Sequence, residues 1–269
     1  MRCLRGLHSY VGLGRDFFPQ DGSAARCKHG GMDPDYDFRA NKLLARLDDI
    51  ALNALAAQMT FVRMNPGDPV MTQGRQIHSV WFPVEGVISM LAPADEGESQ
   101  VEVGTIGNEG MAGSSLLLGG MQAPNDCFVQ VPGEAWRMPA AAFVEAAHTV
   151  PGVADVMLRY SHTLFIQASQ GCACNRTHTA LQRCARWLLL THDRATGDDF
   201  KLTQEYLAQM LGERRATVSK VATTLKDRRL ITYNRGNITI LDREGLEDVA
   251  CACYRIIRTE YDRILNARH

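Results

Sequence analysis

The stretch 202–229, LTQEYLAQMLGERRATVSKVATTLKDRR, constrains the fold more tightly than any other part of the chain. Leu207, Leu211, Val218 and Val221 fall on the inner faces of two helices and can share one small core. Ala208 is small where a second helix would cross close over the first. Gly212 lies between the two, where a positive φ is cheap only without a Cβ. Thr203 is placed to cap the first helix, with Glu205 near the positive end of its dipole. This spacing predicts a helix-turn-helix.

The outer face of the second helix carries Arg214, Arg215, Ala216, Thr217, Ser219 and Lys220. From Glu213 to Arg229 there are six basic residues and two acidic ones, Glu213 and Asp227. Arginine and lysine at the start of such a helix can bond guanine O6 and N7 or clamp phosphates. Thr217 and Ser219 can reach phosphate oxygens. A helical hairpin with a merely solvated basic face is the bland alternative. The small residue, the glycine, the apolar positions and the basic face together argue against it. Residues 230–241 read as strand, turn and strand, a wing after the recognition helix. Arg235 at its tip is either a phosphate contact or an ordinary exposed loop arginine.

The net charge of -1 does not by itself point to nucleic acid. Its distribution does: from Thr196 onward 13 Lys+Arg stand against 11 Asp+Glu, and in the remainder 16 against 19. At 269 residues there is room for more than one core. No apolar run is long enough to span a bilayer and no apolar signal core opens the chain, so a cytoplasmic protein without a membrane partner is expected. In that compartment the eight cysteines should be mostly free thiols.

Along the chain, residues 1–35 lack periodicity and are expected to be a disordered extension, with Met32 opening the better-patterned part. A helix is expected over 41–59. Residues 36–149 then read as a sensor domain of short strands punctuated by glycine: 61–64, 70–71, 79–84, 87–91, 101–106, 126–131 and 135–138. Over 150–195 the apolar stripe Val153, Val156, Met157, Tyr160, Leu164, Phe165 and Ala168 predicts a long dimer helix, with packing entirely within the monomer as the bland alternative, and a second helix follows over 179–192. Residues 196–269 form the DNA-binding domain, with a loop at 196–199 and one last helix from its cap Asp242 to about Leu265. The fold class is α+β: an antiparallel β-roll or jelly roll, a dimer helix and a winged helix-turn-helix.

That order of parts resembles the Crp/Fnr family of bacterial transcription regulators over roughly residues 41–241. The resemblance is strongest in LTQEYLAQMLGERRATVSKVATTLKDRRLI and extends to NPGDPVMTQGRQIHSVWFPVEGVISM, where Gly74 and Gly86 match the family's roll glycines. It implies that Arg215 and Lys220 take the places of the base- and phosphate-contacting residues. Ala216 stands where many members have a glutamate that accepts from cytosine, and Arg214 is an added charge. Double-stranded DNA, a second copy of the chain and RNA polymerase are the implied partners.

The effector pocket departs from the family pattern. Members that bind cyclic nucleotides carry Gly-Glu for the ribose and Arg-Ser or Arg-Thr for the phosphate. The stretch GNEGMAGSSLLLGGMQAPNDCF has Ser114 after Gly113 and no arginine. A buried phosphate without a cationic partner is costly, so cyclic AMP is not expected to bind tightly and no cofactor is predicted. Gly113, Ser114, Ser115, Ala168 and Ser169 remain the candidate pocket residues.

Cys3 and Cys27 are too few to hold the family's N-terminal iron-sulfur cluster together with Cys127 unless other ligands help. The pairs Cys172/Cys174 and Cys251/Cys253, taken as helical, point about 200° apart, which suits a shared metal poorly. They read as small buried residues, with thiol sensing as the alternative. His78 and His162 are isolated, no metal site is predicted, and no nucleophile–base pair suggests an enzyme. The leading reading is a homodimeric regulator of transcription on a pseudo-palindromic site. The alternatives are a β-roll small-molecule-binding or enzyme-like protein whose helical tail contacts other proteins, and a thiol-redox-responsive DNA-binding regulator.

Overall fold

The computed structural model describes residues 37–93, 100–234 and 236–266. The expected extension 1–35, with Cys3 and Cys27, and the wing-tip Arg235 lie outside the described residues. Seven strands form the roll: β1 (Thr60–Met64), β2 (Pro69–Met71), β3 (Ser79–Pro83), β4 (Val87–Pro93), β5 (Gln100–Ile106), β6 (Asp126–Val131) and β7 (Gly133–Pro139). They pair antiparallel in two sheets, ordered β1-β7-β3 and β2-β6-β4-β5. Met64 and Ala135 of the first sheet pack with Ile88, Ile106, Cys127 and Val129 of the second. Gly86 turns β3 into β4 at φ 85°; a Cβ there would meet the Val131 carbonyl at 2.5 Å, so only glycine fits.

The expected helix over 41–59 is shorter. Two short 3-10 turns precede α1 (Asp49–Ala56), which starts where the Asp48 carboxylate accepts from Ala51 N. The buried Asn41 amide accounts for the irregular lead-in: it donates to the carbonyls of Pro83 and Gly110 and accepts from Leu43 N and Leu44 N. A helix absent from the sequence reading, α2 (Ala140–Thr149), follows β7 and buries Phe143.

Helix α3 (Val153–Thr177) has 25 residues and is roughly 38 Å long. The chain leaves it at His178, and Thr179 with Gln182 forms a capping box that starts α4 (Ala180–His192). The expected apolar stripe divides. Val153, Met157 and Tyr160 are buried within the chain, whereas Leu158 and Phe165 are 42% and 69% exposed. Leu158, His162, Phe165, Ser169 and Cys172, spaced by four and three residues, make one exposed row.

The C-terminal domain has β8 (Asp199–Lys201), α5 (Gln204–Leu211), α6 (Arg215–Asp227), β9 (Ile231–Asn234), β10 (Asn237–Ile240), α7 (Arg243–Val249) and α8 (Cys253–Asn266). Part of the expected loop at 196–199 is thus strand: Asp199 opens β8, which pairs with β10 beside the predicted wing. The single last helix is two. Asp242 caps α7 as expected, accepting from Gly245 N, but extended backbone at Ala250 ends it before α8 starts.

The two halves are joined tightly. Arg194, after α4, donates to Glu109 Oε1 (2.8 Å), the Leu190 carbonyl (2.7 Å) and Gln167 Oε1 (3.2 Å), all buried, and lies over the ring of Tyr261 on α8. Tyr206 on α5 meets Phe128 on β6 edge to face. No helix among the described residues is long and apolar enough to cross a membrane.

Candidate nucleic-acid interface and effector cavity

Helices α5 and α6 meet as the apolar spacing requires. Leu207, Ala208, Leu211, Val218, Val221 and Leu225 are all buried, and Gly212 turns the chain at φ 60°. Thr203 caps α5 by accepting from Tyr206 N (3.1 Å). With that inner face fixed, Arg214, Arg215, Ala216 and Lys220 are left exposed and Thr217 half-buried. Arg214 is the N-cap of α6, but its side chain makes no capping bond. Among the described residues no capping side chain thus serves the first N–H groups of α6, which stand beside two guanidinium groups in a geometry that suits an anion.

Ser219 differs from its expected outward role. Its hydroxyl donates to Gln204 Oε1 (2.7 Å), so it ties α6 to the first turn of α5. Glu213, the acidic residue nearest the basic cluster, pairs with Arg183 of α4. Arg183 also donates to the Leu211 carbonyl (2.9 Å), which pins the turn to α4. A shallow open depression runs along α6 between Leu181, Arg214, Ala216, Thr217, Lys220 and Thr224. Leu181 and Gln204 are edge residues that the motif alone did not single out.

In the roll, Gly113, Ser114 and Ser115 do line a cavity, at the start of a 3-10 turn, Ser114–Leu118. The cavity measures only about 40 Å³, against roughly 300–1,000 Å³ for ordinary ligand sites. The other lining residues include Met71, Met90, Ile106, Met111, Cys127 and Leu164. No lining residue is charged. Leu164 is the residue that α3 contributes. Ala168 and Ser169, expected here, do not line it: Ser169 is exposed on the outer row of α3 and Ala168 is half-buried.

The wall of this cavity is also the wall of the interdomain contact. Met90 and Cys127 face the cavity, while their neighbours Ser89 and Phe128 face α5. Ser89 Oγ lies 2.7 Å from Glu102 Oε2, and Trp187 Nε1 donates to Glu102 Oε1 (2.7 Å). Glu102 as a whole is half-buried, its carboxyl is held by these partners, and burial pushes that carboxyl up to about 7. The Ser89 hydroxyl also meets the Gln130 amide oxygen and has one proton to give. Ser89 thus stands between Glu102 and Gln130, and the Gln130 Nε2 beside it finds no partner among the described residues.

The cysteines separate into two kinds. Burial pushes Cys127 and Cys184 each up to about 12, which makes them inert packing residues. Cys172 is exposed, whereas Cys174, Cys251 and Cys253 are buried together. The helical argument against a shared site for the C-x-C pairs does not hold for Cys251, which precedes α8 on non-helical backbone. His178, which the sequence reading passed over, joins the three sulfurs.

Residues 61–149 match the cyclic nucleotide-binding domain model, and residues 182–249 match the Crp-like helix-turn-helix domain model. No curated protein matches the sequence. Solved structures with this fold include FixK2 from Bradyrhizobium japonicum, 16% identical, covering 72% of this chain and 98% of that one with a TM-score of 0.61. A CRP-family transcriptional regulator from Thermus thermophilus is 17% identical, covering 70% and 96%, with a TM-score of 0.59. The c-di-GMP-responsive global regulator CLP of Xanthomonas campestris is 14% identical, covering 72% and 99%, with a TM-score of 0.57. With both domain models matched in this order, and with a recognition helix whose basic side faces outward, the chain belongs to the Crp/Fnr family of transcription regulators.

Proposed function

We propose that this regulator works as a homodimer, reads a pseudo-palindromic DNA site through α6, and takes an input other than cyclic AMP. The observation that carries it is the outer face of α6: Arg214, Arg215 and Lys220 stand in solvent while Val218, Val221 and Leu225 hold the helix in place. Arg215 and Lys220 supply base and phosphate contacts, Arg214 and Thr217 further phosphate contacts. Thr203 and Ser219 act by positioning, since both side chains are engaged within the helix pair.

A second copy covers the exposed row of α3, where Leu158 and Phe165 are otherwise wet. Such a dimer sets two recognition helices about 34 Å apart, one turn of DNA. What supports the last part is the cavity of the roll, about 40 Å³ with no charged residue in its lining. Relatives on this fold serve other inputs, as the c-di-GMP-responsive regulator does.

The test is selection of a bound fraction from randomised duplex DNA, with a salt titration. A two-fold symmetric consensus, bound with an affinity that falls steeply with salt, is expected. A consensus without symmetry, together with a monomer in sedimentation, would refute the dimer reading; Phe165→Glu is the variant expected to give that monomer. Calorimetry with cyclic AMP is expected to show no binding, and a micromolar Kd would overturn that part.

A further inference from the structure

Cys174 lies one turn before the end of α3, and His178 is the C-terminal cap of that helix. Cys251 and Cys253 flank the start of α8. Folding brings these distant segments together, and the three sulfurs and the imidazole nitrogen all lie within 4.8 Å of one another. Cys174 Sγ is 3.4 Å from Cys251 Sγ, and Cys253 Sγ is 3.5 Å from His178 Nδ1.

The sulfur–nitrogen distance is close to the edge of a metal-centred tetrahedron, and the sulfur–sulfur distance is somewhat shorter than one. Bonds of about 2.3 Å to sulfur and 2.0–2.1 Å to nitrogen place two sulfurs about 3.8 Å apart and a sulfur and a nitrogen about 3.6 Å apart. They do not match a disulfide, which needs about 2.05 Å. Nor is the cluster ordinary apolar packing. Cys174, Cys251 and Cys253 form a group separate from the main core, and an imidazole nitrogen points into it.

The surroundings suit a charged centre. Gln170 Nε2 donates to Cys253 Sγ (3.1 Å), as an outer partner of a thiolate ligand would. The Thr177 hydroxyl, 3.2 Å from His178 Nδ1, gives its proton to the Ala173 carbonyl, so it does not compete as a donor to that nitrogen. Arg186 of α4 acts electrostatically on Cys174, and its buried Nε finds no hydrogen-bond partner among the described residues. A divalent ion with three thiolates and a neutral imidazole carries one net negative charge, which that guanidinium would balance.

We propose that Cys174, His178, Cys251 and Cys253 hold one zinc-class divalent cation in a closed tetrahedral site. Soft thiolates with one imidazole select such an ion over magnesium or calcium. Four protein ligands leave no open position, so the ion is structural. Binding deprotonates three thiols and releases their protons to solvent. The ion clips the junction of α7 and α8 to the bend between α3 and α4, and so fixes the DNA-reading domain to the end of the long helix. The proposal rests on these four residues alone and does not depend on how α6 reads DNA.

The test uses the full chain, prepared reduced and without chelator. Elemental analysis is expected to find one zinc per chain, and replacement by Co²⁺ is expected to give the strong visible bands of tetrahedral thiolate cobalt. Gln170→Ala should weaken zinc binding by about tenfold or more, and Cys253→Ser should weaken it further. Cys172→Ser, on the same helix but outside the cluster, should keep the metal in full. If the Cys253 variant does not fold, the cobalt spectrum and zinc affinity of the unmodified chain and the Gln170 variant still decide. The proposal is overturned by a reduced chain that takes up neither ion in excess metal, by a Cys174–Cys251 disulfide in fresh protein, by iron-sulfur absorption, or by loss of metal in Cys172→Ser.

Discussion

At the outer face of α6, three cations stand in solvent, and no ion pair among the described residues engages Arg214, Arg215 or Lys220. In the roll, the matching functional surface is a cavity of about 40 Å³ lined by methionines, a leucine, an isoleucine and two serines, with no charge. Both surfaces rest on well-packed frames, and each frame matches its family model. The difference is therefore not in folding. A frame survives as long as apolar side chains fill it, whereas a ligand site also needs particular polar groups that the frame does not require. The face of α6 presents such groups, whereas the cavity of the roll is lined without a charged one.

Variants that separate frame from site test this contrast. The largest effect is expected where the two regions are bolted together. Glu109→Ala leaves Arg194 buried without its carboxylate, which should cost about 3–5 kcal/mol in urea unfolding. A loss below about 1 kcal/mol would mean that solvent reaches this arginine and that the regions are only loosely joined.

Next comes pH. The Glu102 carboxyl titrates near 7 in the folded chain, against 4.5 as its ordinary value. The folded state thus holds a proton that the unfolded state has lost between those values. Stability should fall as pH rises from about 4.5 to about 7 and level off above, by at most about 3 kcal/mol. Glu102→Gln should flatten that slope. A slope unchanged in the variant would assign it to another group.

Smaller again is the effect at the DNA face. Arg215→Ala should lose about 1–3 kcal/mol of specific binding and relax one position of the site, while Lys220→Ala should weaken all sequences evenly. Neither should move the unfolding midpoint, since both side chains are exposed. Thr203→Ala should do the reverse, costing about 1 kcal/mol of stability through the lost cap with little change in base preference. A loss of base preference in that variant would place Thr203 on the DNA.

Much of this was legible in the sequence because it depends on near neighbours. The caps Thr203 and Asp242, the turn at Gly212 and the strands of the roll each follow from a few adjacent residues. The parts that were not legible depend on distant ones. Ser219 bonds Gln204 instead of facing outward because the helix crossing brings them together. The apolar residues of α3 look like one stripe until the roll claims Val153, Met157 and Tyr160 and leaves Leu158 and Phe165 outside. The break at Ala250 carries no proline or glycine to announce it, and without that break Cys251 and Cys253 look like helical neighbours. His178 stands one helical turn after Cys174, but its other two sulfur partners lie far along the chain, at the start of α8.

Along β4 and β6 the chain alternates its attention residue by residue: Met90 and Cys127 look into the cavity, Ser89 and Phe128 look onto α5. Whatever disturbs the cavity is thus one peptide unit from the helix that precedes the recognition helix. The two surfaces are the two sides of one sheet, and the thickness of a single pleat is all that separates them.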